Sequence, residues 1–210
     1  TSVNAGTLTL ETGGALASGA VSVSNGAVFN AQSGSTLSAA TVLTADGLVN
    51  LLGSGVTIET LLGAGSVNLN PAELTLGNGT FSGVISGTGS LVKVGGGELS
   101  LSGVNTYTGN TVIGNNVVLQ ITGAGKLGSG SYAGTISNTG TLEYNSSANQ
   151  TLSGVISGTG ALIKDNTSTL TLRGTVANTY SGGTTINDGI VSLGTGGAVT
   201  LGTAKPDRSV

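Results

Sequence analysis

The chain has 210 residues, of which 39 are glycine and only 7% are charged, and it contains no cysteine, histidine, methionine or tryptophan. These counts exclude disulfides, thiolate or imidazole metal sites, and catalytic groups built on histidine or cysteine. The formal net charge of −3 excludes the basic surface that nucleic-acid binding requires, so we expect no nucleic-acid partner.

Short segments in which apolar and polar residues alternate recur along the whole chain. In chain order they include LTL at 8–10, VSV at 21–23, VNL at 67–69, LTL at 74–76, LSL at 99–101, LTL at 170–172 and VTL at 199–201. Alternation with a period of two is typical of β-strands, and glycine, asparagine and serine separate the segments. No segment has the spacing of an amphipathic helix, so the sequence predicts an all-β fold without helices.

The sequence also repeats itself over a longer distance. SGVISGTG occurs at 82–89 and again at 153–160, and the extended segments 82–103 and 153–174 are identical at 13 of 22 positions without a gap. The match continues with NTYTGNT in the first copy and NTYSGGT in the second. The copies lie near 80–125 and 151–196, and a repeat of this kind indicates stacked structural units.

The strand spacing within one repeat predicts a three-sided β-solenoid. Strands recur every 7 to 10 residues, so three strands fill a coil of about 22 to 25 residues, and one repeat corresponds to three coils. We therefore expect 82–103 and 153–174 to occupy equivalent coils. About nine coils at ~4.8 Å each give a rod of about 45 Å. The predicted solenoid covers residues 1–204, and 205–210 form a tail or linker.

An antiparallel sandwich is the alternative fold. Asn25-Gly26 and Asn78-Gly79 lie between alternating segments, and Asn-Gly is a strong hairpin signal. Asn-Gly also suits the corners of a solenoid, and a sandwich gives no reason for a long repeat. The solenoid is therefore favoured.

Residues 89–113 and 160–186 resemble the autotransporter-associated β-strand repeat of passenger domains in Gram-negative autotransporters, which use type V secretion. The resemblance implies a right-handed parallel β-helix that is secreted or displayed at the cell surface. It also implies that any membrane contact is made by a barrel domain outside this segment.

Candidate catalytic and metal-binding residues are few. No two acids lie within eleven residues of each other, and we expect no catalytic, cofactor or metal site. The acids are Glu11, Asp46, Glu59, Glu73, Glu98, Glu143, Asp165, Asp188 and Asp207.

Lysines and tyrosines recur at matching positions of the two copies. Lys93 and Lys164 each follow an apolar segment, and their matching positions allow a ligand contact as one interpretation. The favoured prediction is that they are solvated charges that deter lateral sheet pairing. Tyr107 and Tyr180 lie in turn-like sequence, where each ring either packs on a turn or is exposed as part of an interaction surface.

The function expected from the sequence is structural. The chain is interpreted as a rigid passenger segment, without enzymatic activity, that supports adhesion or self-association. The expected partners are a host or bacterial surface protein, a glycan, or a second copy. Two alternatives are a polysaccharide-acting enzyme fragment and an ice-binding solenoid. The second is suggested by threonine pairs such as Thr7/Thr9 and Thr169/Thr171, although their spacing does not follow one coil length.

Overall fold

The computed structural model describes residues 1–53 and 55–194, and these form short β-strands joined by tight corners. The first twelve strands are β1 (Ser2–Val3), β2 (Thr7–Leu10), β3 (Ala15–Leu16), β4 (Ala20–Val23), β5 (Val28–Ala31), β6 (Thr36–Leu37), β7 (Val42–Ala45), β8 (Leu48–Leu51), β9 (Val56–Gly63), β10 (Ser66–Leu69), β11 (Leu74–Phe81) and β12 (Val84–Gly87). The next thirteen are β13 (Leu91–Lys93), β14 (Glu98–Leu101), β15 (Thr111–Ile113), β16 (Val118–Gly123), β17 (Ser131–Tyr132), β18 (Ile136–Asn138), β19 (Thr141–Ser146), β20 (Gln150–Leu152), β21 (Ile156–Ser157), β22 (Ala161–Lys164), β23 (Thr169–Leu172), β24 (Thr184–Ile186) and β25 (Ile190–Leu193).

The strands stack in three columns, which we call faces 1, 2 and 3. Face 1 is the column β1-β4-β7-β9-β11-β14-β16-β19-β22-β24. Face 2 consists of β2-β5-β8-β10-β12 followed by β17-β20-β23-β25. Face 3 contains β3 and β6, the first halves of β9 and β11, and then β13-β15-β18-β21. The long strands β9 and β11 bend around the corner from face 3 to face 1, because each pairs on both faces.

Every strand pairing in the described part of the chain is parallel, so the predicted three-sided β-solenoid is confirmed and the sandwich is wrong. Ten strands stack on face 1, which gives about ten turns and a length of about 48 Å. The turns differ in length: the turn in which Leu74 pairs with Leu91 is short, and the turn in which Thr111 pairs with Ile136 is long. Gly26, with φ +80°, is at a corner, whereas Asn78-Gly79 lies within β11.

Helix is nearly absent, as predicted. The exception among the described residues is one turn of 3₁₀ helix at Gly128–Gly130, in the long coil that separates Thr111 from Ile136. No helix in this part of the chain is long and apolar enough to cross a membrane. The predicted strand at 199–201, the predicted tail at 205–210 and the end of the second repeat lie outside the described residues.

Alternation directs one set of side chains into the interior of the solenoid. In β14, Leu99 and Leu101 are fully buried, while Glu98 is exposed and Ser100 is partly exposed. The same pattern in β23 buries Leu170 and Leu172. Burial of these aliphatic columns is the main favourable contribution to folding.

The two sequence repeats do not occupy equivalent coils, and this prediction was wrong. Strand β12 lies on face 2, but its counterpart β21 lies on face 3. Strand β13 lies on face 3 and its counterpart β22 on face 1, and β14 lies on face 1 and its counterpart β23 on face 2. The second copy therefore lies three turns further along the solenoid and one face further around it. Because each face supplies a strand, a corner and inward-directed side chains, one sequence unit fits any of the three.

Glycines stack at the corner between faces 1 and 2. A β-carbon on Gly65 would meet the carbonyl oxygen of Gly47, one on Gly83 would meet that of Gly65, and one on Gly103 would meet that of Gly83. Each approach is well inside van der Waals contact. The corner therefore accepts only glycine while adjacent coils remain hydrogen-bonded.

We expect Gly103→Ala to lower the free energy of unfolding by about 1–3 kcal/mol, because the methyl group must displace the backbone of the coil below. Gly96→Ala is the matched control, since no atom lies within 4 Å of the position that its β-carbon would take and its φ is not in the left-handed region. This control should be neutral or slightly stabilising. Urea unfolding followed by circular dichroism measures both, and equal losses would contradict the stacking argument.

Candidate functional site

Tyr107 and Tyr180 lie inside the solenoid, with exposed fractions of 0% and 1%. The Tyr107 hydroxyl is 2.8 Å from Thr111 Oγ1, and the Tyr180 hydroxyl is 2.6 Å from Thr184 Oγ1. The two copies therefore form the same contact between a tyrosine and the threonine four residues later. The rings pack internally and do not provide the exposed aromatic surface that the interaction hypothesis expected.

Tyr132 extends the contact in the first copy, and sequence reasoning missed it. Its hydroxyl lies 2.7 Å from Thr111 Oγ1 and donates a hydrogen bond to the Gly109 carbonyl. The Tyr107 and Tyr132 rings meet edge to face, with centroids 5.5 Å apart. These contacts tie two successive coils together through one buried hydroxyl chain.

Two asparagines of the repeat are also buried and were not predicted as functional. Asn105 Oδ1 accepts a hydrogen bond from the Ile85 N–H at 3.0 Å, and its Nδ2 donates to the Gly103 carbonyl. In the second copy, Asn178 Oδ1 accepts from the Ile156 N–H at 2.7 Å. The shared Asn-Thr-Tyr sequence could have indicated their burial, because alternation places asparagine and tyrosine on the same side of the chain.

Lys93 and Lys164 are fully buried, so the prediction that they are solvated surface charges was wrong. Lys93 Nζ donates to the carbonyls of Gly77 at 2.5 Å, Val94 at 3.0 Å and Gly95 at 3.4 Å. The ammonium group thus gathers three carbonyl oxygens at one corner.

Lys164 makes the same arrangement in the second copy. Its Nζ donates to the carbonyls of Asp165 at 2.6 Å, of Asn166, and of Asp188 at 3.4 Å. It also lies 6.0 Å from the centre of the Tyr144 ring, within range of a cation–π interaction. Both lysines bind the turn that follows them to a neighbouring coil.

Burial lowers the pKa of both ammonium groups below the ordinary value of 10.5. The Glu59 carboxylate opposes the shift at Lys93, and the Asp188 and Asp165 carboxylates oppose it at Lys164. Three carbonyl dipoles replace the water that each ammonium loses.

The buried polar side chains of the described residues are all hydrogen-bonded within the protein. Within residues 1–53 and 55–194, no buried side-chain nitrogen or oxygen lacks a hydrogen-bond partner, and no three potential metal ligands cluster. The repeated lysine, asparagine and tyrosine residues are therefore committed to holding coils together.

Outward side chains form ladders along the solenoid. On face 2, Asn50 Nδ2 donates to Asn30 Oδ1 at 2.8 Å, and Asn68 Nδ2 donates to Asn50 Oδ1 at 3.3 Å. Asn30 Nδ2 is 3.4 Å from Thr9 Oγ1. Because asparagine and not threonine continues this column, the flat threonine ladder expected of an ice-binding surface is interrupted.

A groove of about 570 Å³ crosses three turns at the corner beside this ladder. The corner at 24–27 has four residues, whereas the corners of the next two turns, at 46–47 and 64–65, have two. The groove lies where the corner becomes shorter. Its wall includes Val28, Leu48 and Ser66 from face 2, together with Asp46. Asp46 Oδ1 accepts a hydrogen bond from the Ala64 N–H at 3.1 Å.

Lys93→Met should lower the free energy of unfolding by about 1–3 kcal/mol, since the Gly77, Val94 and Gly95 carbonyls would lose a buried donor while most of the side-chain volume is retained. Lys126→Met is the control, because Lys126 is only partly buried. Urea unfolding measures the difference. A surface-like, negligible effect at Lys93 would show that the carbonyl contacts contribute nothing.

All four tyrosines have a raised pKa, chiefly because burial disfavours the phenolate, and Tyr107 is shifted most strongly. The unfolded chain releases these protons near pH 10, whereas the folded chain holds them to higher pH. Stability should therefore fall as pH rises above 10. The lowered pKa values of Lys93 and Lys164 have the opposite effect, because they make stability rise with pH up to 10.5, but only two lysines are involved.

The phenolate ultraviolet absorbance of the folded chain should rise at higher pH than that of the urea-unfolded chain, and it should rise together with loss of the β-sheet circular dichroism signal. Tyr107→Phe should reduce the alkaline loss of stability. Ordinary titration of all four tyrosines with the fold intact would contradict their burial.

The fold and these interior contacts define a repeat protein of the parallel β-solenoid class. A model of the passenger-associated-transport repeat matches residues 91–121 and 162–193. These matches begin in β13 and β22, the strands that end in Lys93 and Lys164.

Two curated relatives are autotransporters. The chain is 41% identical over 123 residues to the adhesin BmaC autotransporter of Brucella suis biovar 1 (strain 1330), over 52% of this chain and 4% of that protein. It is 43% identical over 72 residues to the Neisserial autotransporter lipoprotein NalP of Neisseria meningitidis serogroup B (strain ATCC BAA-335 / MC58), over 28% of this chain and 7% of that protein. No solved structure matches the chain significantly.

The repeat matches and these relatives support the assignment of the chain as an autotransporter passenger segment. They also support the predicted location, which is secreted or at the surface of a Gram-negative bacterium. The chain spans less than a tenth of the length of either relative.

Proposed function

We propose that the chain is a rigid interaction segment of a passenger and supports adhesion or self-association without catalysing a reaction. The observation that carries this proposal is that the repeated polar residues are buried inside the solenoid. Lys93, Asn105 and Tyr107 and their counterparts hold coils together, so the repeat serves the scaffold. Recognition then falls to outward side chains.

The similarity to an adhesin supports the adhesive role. BmaC is named as an adhesin, and the similarity to it covers about half of this chain. The partner is a host or bacterial surface protein, a glycan, or a second copy. A nucleic acid is disfavoured, because the eight carboxylates of the described residues all reach the surface, whereas Lys126 and Arg173 are the only basic side chains there that do so.

The scattered acids support the absence of catalysis. Glu59 Oε1 accepts a hydrogen bond from Asn78 Nδ2, and Glu143 Oε1 accepts from Gln120 Nε2 at 2.7 Å. Such pairing places these carboxylates in outward ladders, beside amides and not beside a second acid that would serve as a catalytic partner.

Beads coated with the purified chain should adhere to cells or aggregate with each other, and beads coated with heat-denatured chain should not. The same preparation should leave pectins, glucans, peptides and esters unchanged. Adhesion by neither preparation would contradict the proposed function. Turnover of a glucan that is lost in Glu143→Gln would instead support the polysaccharide-acting alternative.

A further inference from the structure

One outward surface combines hydrogen-bonding groups, apolar contacts and a concave shape. We call it the amide face, and it comprises Thr9, Asn30, Asn50 and Asn68 with the neighbouring residues Val28 and Leu48. All six lie on face 2, in strands β2, β5, β8 and β10. None of them belongs to the two copies of the repeat.

The asparagine ladder holds its carboxamides in fixed orientations. Asn30, Asn50 and Asn68 are in register on adjacent strands, so their side chains recur about every 4.8 Å along the axis. Each carboxamide has two N–H donors and two acceptor lone pairs. The axial bonds of Asn50, one donated and one accepted, leave one N–H and one lone pair for a ligand.

An apolar strip and the groove lie beside the ladder. Val28 and Leu48 are paired on adjacent strands, two positions before Asn30 and Asn50, and 37% of Leu48 is exposed. Both side chains also line the 570 Å³ groove, which runs across three turns. A ligand that lies parallel to the axis would therefore contact the three amides, and it would contact Val28 and Leu48 in two successive turns.

No charged side chain belongs to the amide face. The strands of face 2 in the first five turns, TLTL, VFNA, LVNL, SVNL and VISG, contain no ionisable side chain. A polyanion would find no cation here, and a polycation would find only Asp46 at the groove margin. The charge distribution fits a neutral ligand.

The dimensions favour a narrow polymer over a folded protein. Four to five turns and a four-residue strand give a strip about 20 Å long and about 13 Å wide. This area is well below the roughly 800 Å² that each partner buries in a stable protein–protein interface. A polysaccharide chain fits such a strip, because its sugar units combine repeated hydroxyl groups with apolar ring faces.

We propose that the amide face binds an extended neutral glycan lying parallel to the solenoid axis. Asn30, Asn50 and Asn68 exchange hydrogen bonds with sugar hydroxyls, while Val28 and Leu48 contact the ring faces. This inference rests on the proposed adhesive function and specifies its ligand class.

Binding of the purified chain to immobilised cellohexaose, laminarihexaose and chitohexaose tests the proposal, with heparin as the polyanionic comparison. At least one neutral oligosaccharide should bind, with little dependence on salt. The Asn50→Ala/Asn68→Ala variant should bind it at least about tenfold more weakly, the loss expected when two polar contacts are removed. Thr57→Ala/Thr75→Ala is the matched control, because these residues pair in register on face 3.

Circular dichroism first establishes that both double variants are folded. Equal losses of binding in the two variants, binding to heparin alone, or binding to none of the three neutral oligosaccharides would overturn the glycan assignment. Bead adhesion that persists only on glycan-free protein surfaces would also overturn it while leaving the proposed function intact. Conversely, glycan binding without bead adhesion would uphold the amide face and contradict the adhesive function.

Discussion

Coil-to-coil stacking at about 4.8 Å is the constraint on which the rest of the structure depends. Each strand obtains its hydrogen bonds from the coils above and below, so every corner must close without pushing its neighbours apart. At the corner of faces 1 and 2, the carbonyl oxygens of Gly47, Gly65 and Gly83 occupy the space of a β-carbon in the next coil. The high glycine content is therefore a consequence of stacking and does not indicate a flexible chain.

The same stacking explains how polar residues are used in a thin core. A coil that bends sharply leaves carbonyl groups directed inward at its corners, and these need donors. Lys93 and Lys164 supply three donors each from one side chain, and Asn105 and Asn178 bind the N–H of Ile85 and Ile156 in the adjacent coil. Desolvating an ammonium is costly, and the gathered carbonyls offset that cost. The interior thus contains buried polar links as well as aliphatic columns.

The all-β class, the three-sided solenoid and many strand positions among the described residues could be predicted because alternation and strand spacing are local properties of the sequence. The burial of Lys93 and Tyr107 was also encoded locally. Alternation in Leu91-Val92-Lys93 places leucine and lysine on the same side, and alternation in Asn105-Thr106-Tyr107 does the same for asparagine and tyrosine. The prediction for lysine failed because the charge was given more weight than the alternation.

The angular placement of the repeats could not be predicted in this way. Coils of quite different lengths stack in one solenoid, as the pairings of Leu74 with Leu91 and of Thr111 with Ile136 demonstrate, so a repeat length alone does not fix the number of turns. The asparagine ladder was hidden for a related reason. Asn30, Asn50 and Asn68 are unequally spaced in the sequence, and they align only once the coil lengths are known.

The burial of two lysines changes the balance of charge on the exterior. Because Lys93 and Lys164 are withdrawn into the core, eight carboxylates but only the basic side chains of Lys126 and Arg173 reach the surface of the described residues. The amide face is an uncharged part of this exterior, which a neutral partner approaches without displacing counterions. Since the repeat is displaced by one face from copy to copy, the outward residues of its two copies point in different directions. The amide face, in contrast, is built from side chains outside the repeat that align on face 2.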